Sequence, residues 1–169
     1  MTFKENSLIL KGGWAYCSEQ ILQFIPDLIK EKEINIIEFG AGDSSVKIRE
    51  YMSQIYEKVS YLCYETSQRW APNDSIIEVI MYRNVVDVDL RGEKYDLVLV
   101  DGPTGVTRKF WYKKLQNIVK CGTIVHIDDY DHYQEFEEEL SKNLKYEELY
   151  RKSRKFKGEK SWLTVKIIN

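Results

Sequence analysis

The sequence has no hydrophobic run long enough to cross a bilayer and no marked excess of charge. A membrane-spanning helix needs roughly 20 consecutive apolar residues, and no stretch approaches that length. The first residues lack a basic segment followed by an apolar run, so we expect no leader peptide. The 25 basic and 27 acidic side chains give a formal net charge of -2, which would not attract the chain to nucleic acid or an anionic membrane. We expect a cytoplasmic protein that binds neither.

Cysteine is also scarce, with Cys17, Cys63 and Cys121 far apart in the chain. An odd number at these spacings fits neither a disulfide framework nor a zinc site. We therefore expect reduced thiols. Cys63 falls inside an apolar segment and Cys121 just before one, so packing is the favoured role for both.

What the chain does contain is an alternation of apolar strands and amphipathic helices. Its 169 residues suit one domain spanning 1–169. Nearly continuous apolar strands separated by helices predict an α/β fold with a mostly parallel seven-stranded sheet and helices on both faces. Two final strands in succession predict a C-terminal antiparallel hairpin. We expect strands at 34–39, 59–64, 76–82, 95–100, 123–127, 147–151 and 162–168, and helices near 18–29, 45–56, 107–119 and 130–143. We expect Pro26 to kink the first helix.

A glycine turn follows the first predicted strand, in the run Glu38-Phe39-Gly40-Ala41-Gly42. Glycine adopts backbone conformations closed to other residues and lets a ligand approach the peptide groups. Ser44 or Ser45 is expected to cap the next helix. Glu65 ends the second strand, 23 positions after Gly42, where an acid can bind both hydroxyls of a ribose. An ordinary turn followed by a surface acid is the simpler alternative.

Three acids follow two strands that should be neighbours in the sheet: Asp101 after the fourth, and Asp128 and Asp129 after the fifth. Three carboxylates at one sheet edge repel one another unless a cation or a proton intervenes. A divalent ion, with Mg²⁺ as the natural choice, would relieve the repulsion. Turn and helix capping by the same acids is an equally open interpretation.

Several basic residues near these acids have two interpretations each. His126 alternates with apolar neighbours and is expected to be a core residue rather than a catalytic one. His132 follows the acid pair, where it could act as a base or lie on an exposed helix. Arg108 and Lys109 could bind an anionic substrate or simply be solvated. The basic residues at 151–160 fit a polar hairpin loop better than an RNA-binding patch.

These motifs together resemble those of class I S-adenosylmethionine-dependent methyltransferases. The run Glu38-x-Gly40-x-Gly42-x-Ser44 is similar to that family's first motif, with serine in place of the last glycine. The resemblance extends over about 18–169, because the terminal hairpin is also typical of the family. It implies that the glycines contact the methionine part of S-adenosylmethionine, that Glu65 holds the ribose and that Asn84 or Val85 lies near the adenine. The implied cofactor site comprises Glu38, Gly40, Ala41, Gly42, Ser44, Ser45, Glu65, Asn84 and Asp101.

The acid cluster resembles that of metal-dependent O-methyltransferases of the catechol and macrolide-sugar types. This implies methyl transfer to an oxygen of a small molecule or sugar, with Asp101 or His132 receiving the proton. An NAD-binding oxidoreductase is an alternative, although the third glycine of its motif would fall at Ser45. A non-catalytic binding or assembly protein with the same fold is another. A homo-oligomer also stays open.

Overall fold

The computed structural model describes residues 24–90, 92–103, 106–132, 135–153 and 161–169. They form a seven-stranded sheet of order β3-β2-β1-β4-β5-β7-β6. The first five strands are parallel, and β7 runs antiparallel to both β5 and β6. The strands are β1 (Glu33–Phe39), β2 (Lys58–Glu65), β3 (Glu78–Met81), β4 (Leu97–Val100), β5 (Ile124–Asp128), β6 (Tyr146–Lys152) and β7 (Trp162–Ile167). The predicted sheet with its antiparallel hairpin is confirmed.

The helices are shorter than the sequence predicts. They are α1 (Ile25–Leu28), α2 (Asp43–Met52), α3 (Lys109–Leu115) and α4 (Glu135–Asn143). Pro26 lies in the first turn of α1 and does not kink it, because a proline at a helix start removes no needed hydrogen bond. The remainder of the predicted first helix lies outside the described residues. Short 3₁₀ turns at Val85–Asp87, Val106–Arg108 and Tyr130–His132 supplement these helices.

Two apolar clusters cover the two faces of the sheet. On one face, α3 and α4 pack over the strands, and the Phe39 and Trp111 rings stack with centroids 3.9 Å apart. On the other face, residues of α1 and α2 such as Ile25 and Ile48 pack on Ile36. Burial on both faces explains why the central strands read as continuous apolar runs. None of the described helices is long and apolar enough to span a membrane.

The chain crosses from one side of the sheet to the other at β1. Its neighbours are β2 on one side and β4 on the other, so the strand order reverses at this point. In open parallel sheets, ligands bind beyond the carboxyl ends of the strands at such a reversal. The segments after Phe39, Glu65, Val100 and Asp128 all lie at this edge, which we call the carboxyl edge.

Candidate functional site

The glycine turn after β1 packs backbone to backbone on the loop after β4. Gly40 has φ +94°, a conformation that L side chains rarely adopt, and a Cβ there would lie 2.6 Å from the Cα of Gly102. A Cβ on Gly102 would in turn lie 2.7 Å from the Cα of Gly40. Both positions therefore require glycine. The requirement at Gly102 was not predicted, although its place in the run Asp101-Gly102-Pro103 offered a signal.

Gly42 differs from Gly40, because it does not adopt a backbone conformation closed to other residues. The expectation that it does is wrong. Its φ is -177°, which is extended backbone open to any residue. A Cβ at Gly42 would have Ser44 Oγ, 3.9 Å away, as its nearest neighbour. The protein itself therefore does not require glycine here, and the space above the turn is open to a ligand.

Each successive N–H group of the turn already has an acceptor. The N–H of Gly40 donates to the Tyr64 carbonyl at 2.8 Å, that of Ala41 to Glu65 Oε2 at 2.9 Å, and that of Gly42 to Ser45 Oγ at 3.0 Å. The turn is therefore fixed from within. These N–H groups are not presented to an anion.

Glu65 lies beside the glycine turn, as the sequence predicts. Its side chain is buried, and Oε1 accepts hydrogen bonds from the N–H groups of Thr66 at 2.7 Å and Ser67 at 2.8 Å. Oε2 accepts from Ala41. Since each carboxylate oxygen has two lone pairs, Oε2 retains capacity to accept a ligand hydroxyl. Glu65 thus joins the end of β2 to the turn.

Glu38 lies under the turn and is only 2% exposed. Tyr61 Oη donates to its Oε2 at 2.9 Å and Cys63 Sγ at 3.4 Å. Burial raises its pKa to about 7, while hydrogen bonds from Ser45, Tyr61 and Cys63 oppose the rise. The prediction that Ser44 or Ser45 is the capping residue of α2 is wrong, because the helix begins earlier, at Asp43, and Gly42 is its N-cap residue. Ser45 still supports this helix start, since its Oγ accepts the Gly42 N–H.

An open cavity of about 370 Å³ lies beyond the ends of β2 and β3. Tyr64, Tyr82 and Asn84 are among its lining residues. Asn84 Oδ1 also accepts from the Val86 N–H at 3.2 Å and so caps the following 3₁₀ turn. Val85 is buried at 1% exposure. Of the two candidates for adenine contact, only Asn84 faces this cavity.

Asp101 follows β4 and Asp128 ends β5, and the two carboxyl groups lie close enough for the charge of Asp128 to act on Asp101. The surrounding protein and the charge of Asp128 raise the pKa of Asp101 to about 7, and Arg108 opposes the rise. Asp101 nevertheless keeps contact with solvent, whereas Asp128 is 7% exposed. A pair of facing carboxyl groups is stable when it shares one proton.

Arg108 supplies the positive charge at this pair. It is buried, and its guanidinium donates to the carbonyls of Pro103 at 3.0 Å, Asp128 at 2.7 Å and Asp101. The side chain therefore ties the β4 loop to the end of β5. The sequence placed Arg108 near the Asp101 loop as a possible anion-binding residue, but nothing in the sequence predicted that it would bond to three carbonyls.

The described residues give no support to the predicted three-acid metal site. Within the described ranges, no group of three or more His, Cys, Asp or Glu residues could hold a metal ion. Asp129 adopts φ 52° and its N–H donates to the Ser161 carbonyl at 2.8 Å, so the chain turns away from the strand direction immediately after Asp128. The Mg²⁺ site stays a prediction without structural support.

The remaining basic candidates lie in a strand, a 3₁₀ turn, a helix and a loop. His126 is buried in β5, and its Nδ1 is 3.1 Å from Thr164 Oγ1. Burial lowers its pKa to about 4, which fits a neutral core histidine. His132 ends a 3₁₀ turn, and its side chain lies outside the described part. Lys109 begins α3, and most of the basic loop at 151–160 is also outside the description.

Cys63 is buried, as expected for a packing residue, whereas Cys121 is exposed. The packing role predicted for Cys121 is therefore wrong. It lies in the turn before β5 rather than in the strand, so its side chain is not covered. Cys17 lies outside the described residues.

No protein-family description matches the chain, and no curated protein matches its sequence. Solved structures do match its fold. An rRNA methylase from Streptococcus thermophilus superposes with a TM-score of 0.66 at 12% identity, covering 96% of this chain and all of the other. The fold is that of the methyltransferases.

Two further matches contain the demethylated cofactor. A putative methyltransferase from Streptococcus mutans in complex with SAH has a TM-score of 0.61 at 12% identity and covers 95% of this chain and 100% of the other. Human methyltransferase-like protein 13 in complex with SAH has a TM-score of 0.57 at 12% identity, with coverages of 91% and 82%. Identities this low establish the fold and leave the reaction to be argued from the site.

Proposed function

We propose that the protein binds S-adenosylmethionine at the carboxyl edge of β1, β2 and β4 and transfers its methyl group to an acceptor. The observation that carries the proposal is the acidic glycine turn. Glu38 lies beneath the turn and Glu65 beside it, and the adjoining loop brings Asp101 to the same edge. A positively charged sulfonium is favoured where carboxylates gather.

The same observation argues against a dinucleotide. A pyrophosphate binds at a glycine turn through free backbone N–H groups and the positive end of the following helix. Here the N–H groups of Gly40, Ala41 and Gly42 donate to protein acceptors. Adding a doubly negative group beside Glu65 would also introduce repulsion. NAD therefore suits this turn poorly.

In the proposed complex, the ribose hydroxyls bind at Glu65 and the adenine enters the cavity at Asn84. The methionine part extends over Gly42, where the space is open. Ala41, Ser44 and Ser45 belong to the same segment. Asp101 would then lie at the same edge of the sheet as the bound cofactor.

The chemistry then needs an acceptor with a lone pair and, for a hydroxyl, a base. When bound, S-adenosylmethionine would supply the methyl group and its sulfur would take the electrons of the broken carbon–sulfur bond, while Asp101 would accept the proton of the acceptor hydroxyl. A carboxylate whose pKa is raised to about 7 is well matched to proton transfer near neutral pH. Alignment of acceptor, methyl and sulfur supplies much of the remaining acceleration.

We further propose an oxygen of a small molecule or sugar as the acceptor. The acids after β4 and β5 support this choice through their similarity to O-methyltransferases. If Mg²⁺ takes part, Asp101 and Asp128 would hold it and it would lower the pKa of a bound hydroxyl. Turnover that survives EDTA would remove the ion from the proposal.

Calorimetry with S-adenosylmethionine, SAH and NAD tests the cofactor. We expect binding of the first two only, and Glu65→Ala should lose about 1 to 3 kcal/mol of binding free energy, typical of a charged hydrogen bond. Glu57→Ala is a matched control, because Glu57 forms an exposed pair with Lys32. NAD binding, or full affinity in Glu65→Ala, would contradict the proposed site.

Transfer of labelled methyl from S-adenosylmethionine to a panel of hydroxyl compounds tests the reaction. Asp101→Asn should reduce turnover about 100-fold or more, the usual contribution of a general base, with a much smaller loss of cofactor affinity. Binding without transfer to any acceptor would favour a non-catalytic role for the same fold.

A further inference from the structure

Four buried side chains form a hydrogen-bonded network beneath the glycine turn, and the methyl transfer itself does not use it. Glu38 comes from β1, Tyr61 and Cys63 from β2, and Ser45 from α2. Tyr61 and Cys63 donate to Glu38 Oε2 at 2.9 Å and 3.4 Å. The strand register explains the meeting, because Glu38 pairs directly with Cys63 in parallel strands whose side chains alternate together.

Ser45 connects this network to the turn. Its Oγ accepts the Gly42 N–H at 3.0 Å, and its hydroxyl lies close enough to Glu38 to lower the pKa of that carboxyl group. A hydroxyl has a single proton, so accepting from Gly42 leaves that proton for the Glu38 carboxylate. The carboxylate thereby orients the Ser45 hydroxyl, and the hydroxyl holds the Gly42 peptide.

We propose that Glu38 is a positioning residue for the cofactor, whose buried carboxylate acts through Ser45 to hold the glycine turn in its receiving shape. This proposal rests on the proposed function. At 2% exposure, Glu38 lies below the surface that a ligand would touch. Its effect on binding would therefore pass through Ser45 and Gly42.

The proposal makes cofactor affinity depend on the protonation of Glu38. The ionisable groups that face Glu38 are Tyr61 and Cys63 on β2, Glu65 at the end of β2 and Asp101 after β4. Burial and the negative charge of Glu65 raise the pKa of Glu38 to about 7, and the hydrogen bond from Tyr61 opposes this rise.

A bound sulfonium favours the carboxylate form, because opposite charges attract. Binding should therefore release a proton, and affinity should rise as pH increases through about 7. Removing the Tyr61 hydrogen bond should move the midpoint of this rise to higher pH, since that bond favours the charged form.

The test compares Tyr61→Phe with Tyr56→Phe. Both tyrosines are buried and donate one hydrogen bond, Tyr61 to Glu38 at 2.9 Å and Tyr56 to the Ile29 carbonyl at 3.0 Å. S-adenosylmethionine affinity is measured by calorimetry from about pH 5.5 to about pH 8.5, in buffers of different ionisation enthalpy that report proton release. Glu38→Gln is added to remove the titration, and circular dichroism checks folding.

We expect Tyr61→Phe to bind roughly three- to tenfold more weakly at neutral pH, as loss of a single hydrogen bond implies, with its midpoint shifted upward. Tyr56→Phe should match the wild type in affinity and midpoint while losing similar stability. Glu38→Gln should remove most of the proton release.

Equal affinity and midpoint in the two tyrosine variants would overturn the proposal, whatever the folding of Glu38→Gln. In that case Tyr61 would only support the fold, and wild-type binding would still uphold the proposed function. A wild type that binds no S-adenosylmethionine at any pH would instead overturn the proposed function, and this inference with it.

Discussion

The ends of β1 and β2 and the ends of β4 and β5 hold their acidic side chains in different ways. At the first pair of strands, Glu65 is bonded by backbone N–H groups and Glu38 by side-chain hydroxyl and thiol donors. At the second, Asp101 and Asp128 face each other beside Arg108. The first arrangement makes a rigid turn that suits cofactor binding. The second keeps a carboxyl group near its titration point and in contact with solvent, which suits proton transfer.

The largest expected effect tests the rigidity of the first region. Gly40→Ala places a Cβ 2.6 Å from the Gly102 Cα at φ +94°, which should cost roughly 2 to 5 kcal/mol of unfolding free energy. Gly42→Ala is the matched control and should change stability by about 1 kcal/mol or less, because its Cβ meets open space. Urea denaturation measures both. Similar losses in the two variants would mean that the turn is not held by the Gly40–Gly102 contact.

The next prediction tests how Arg108 holds the second region together. Arg108→Met leaves the carbonyls of Asp101, Pro103 and Asp128 without their donors, and should cost about 2 to 3 kcal/mol of unfolding free energy. Arg151→Met removes an arginine that pairs with Glu148 near the surface and should cost about 1 kcal/mol or less. Denaturation of both variants gives the difference. An unfolding free energy near that of the wild type for Arg108→Met would show that the β4 and β5 ends do not depend on this side chain.

The pH dependence of the unfolding free energy tests the buried acid of the first region, Glu38. The pKa of Glu38 is raised in the folded protein from 4.5 to about 7. The folded state therefore holds its proton more tightly, and the resulting stability is complete at low pH and declines as pH rises through about 7. Glu38→Gln removes this loss and should be more stable than the wild type at about pH 8, by about 1 to 3 kcal/mol.

Asp101→Asn should also reduce the loss of unfolding free energy as pH rises, since the pKa of Asp101 is also raised to about 7. Urea denaturation of the wild type and both variants at about pH 5.5 and about pH 8 checks the sign. The contrary result is a wild-type unfolding free energy that increases from the lower pH to the higher, with the same increase in both variants. It would show that neither acid has a raised pKa in the folded protein.

The smallest expected effect concerns Asp129. Glycine tolerates φ 52° better than aspartate does, so Asp129→Gly should change the unfolding free energy by less than about 1 kcal/mol. We expect turnover to be retained as well, because Asp129 does not join a metal-binding group. If turnover of the wild type depends on a divalent ion and turnover of this variant does not, the predicted metal site of three acids would be supported instead.

The sequence by itself determined the order of strands and helices, the C-terminal hairpin and the gathering of Gly40, Glu65, Asp101 and Asp128 at one edge. Hydrophobic period and strand order decide these features, and both are local or topological properties of the chain. Gly40 and Glu65 were therefore found from spacing alone.

Only the tertiary structure decided how those residues are used. The contact between Gly40 and Gly102, the bond of Arg108 to the Asp128 carbonyl and the bond of Tyr61 to Glu38 join residues 20 or more positions apart. Such contacts depend on distances of a few tenths of an ångström between packed elements, which no spacing along one chain specifies. The sequence could thus suggest that a cation or a proton relieves the acids after β4 and β5, and only the packing shows that Arg108 lies beside them and opposes the rise in the pKa of Asp101.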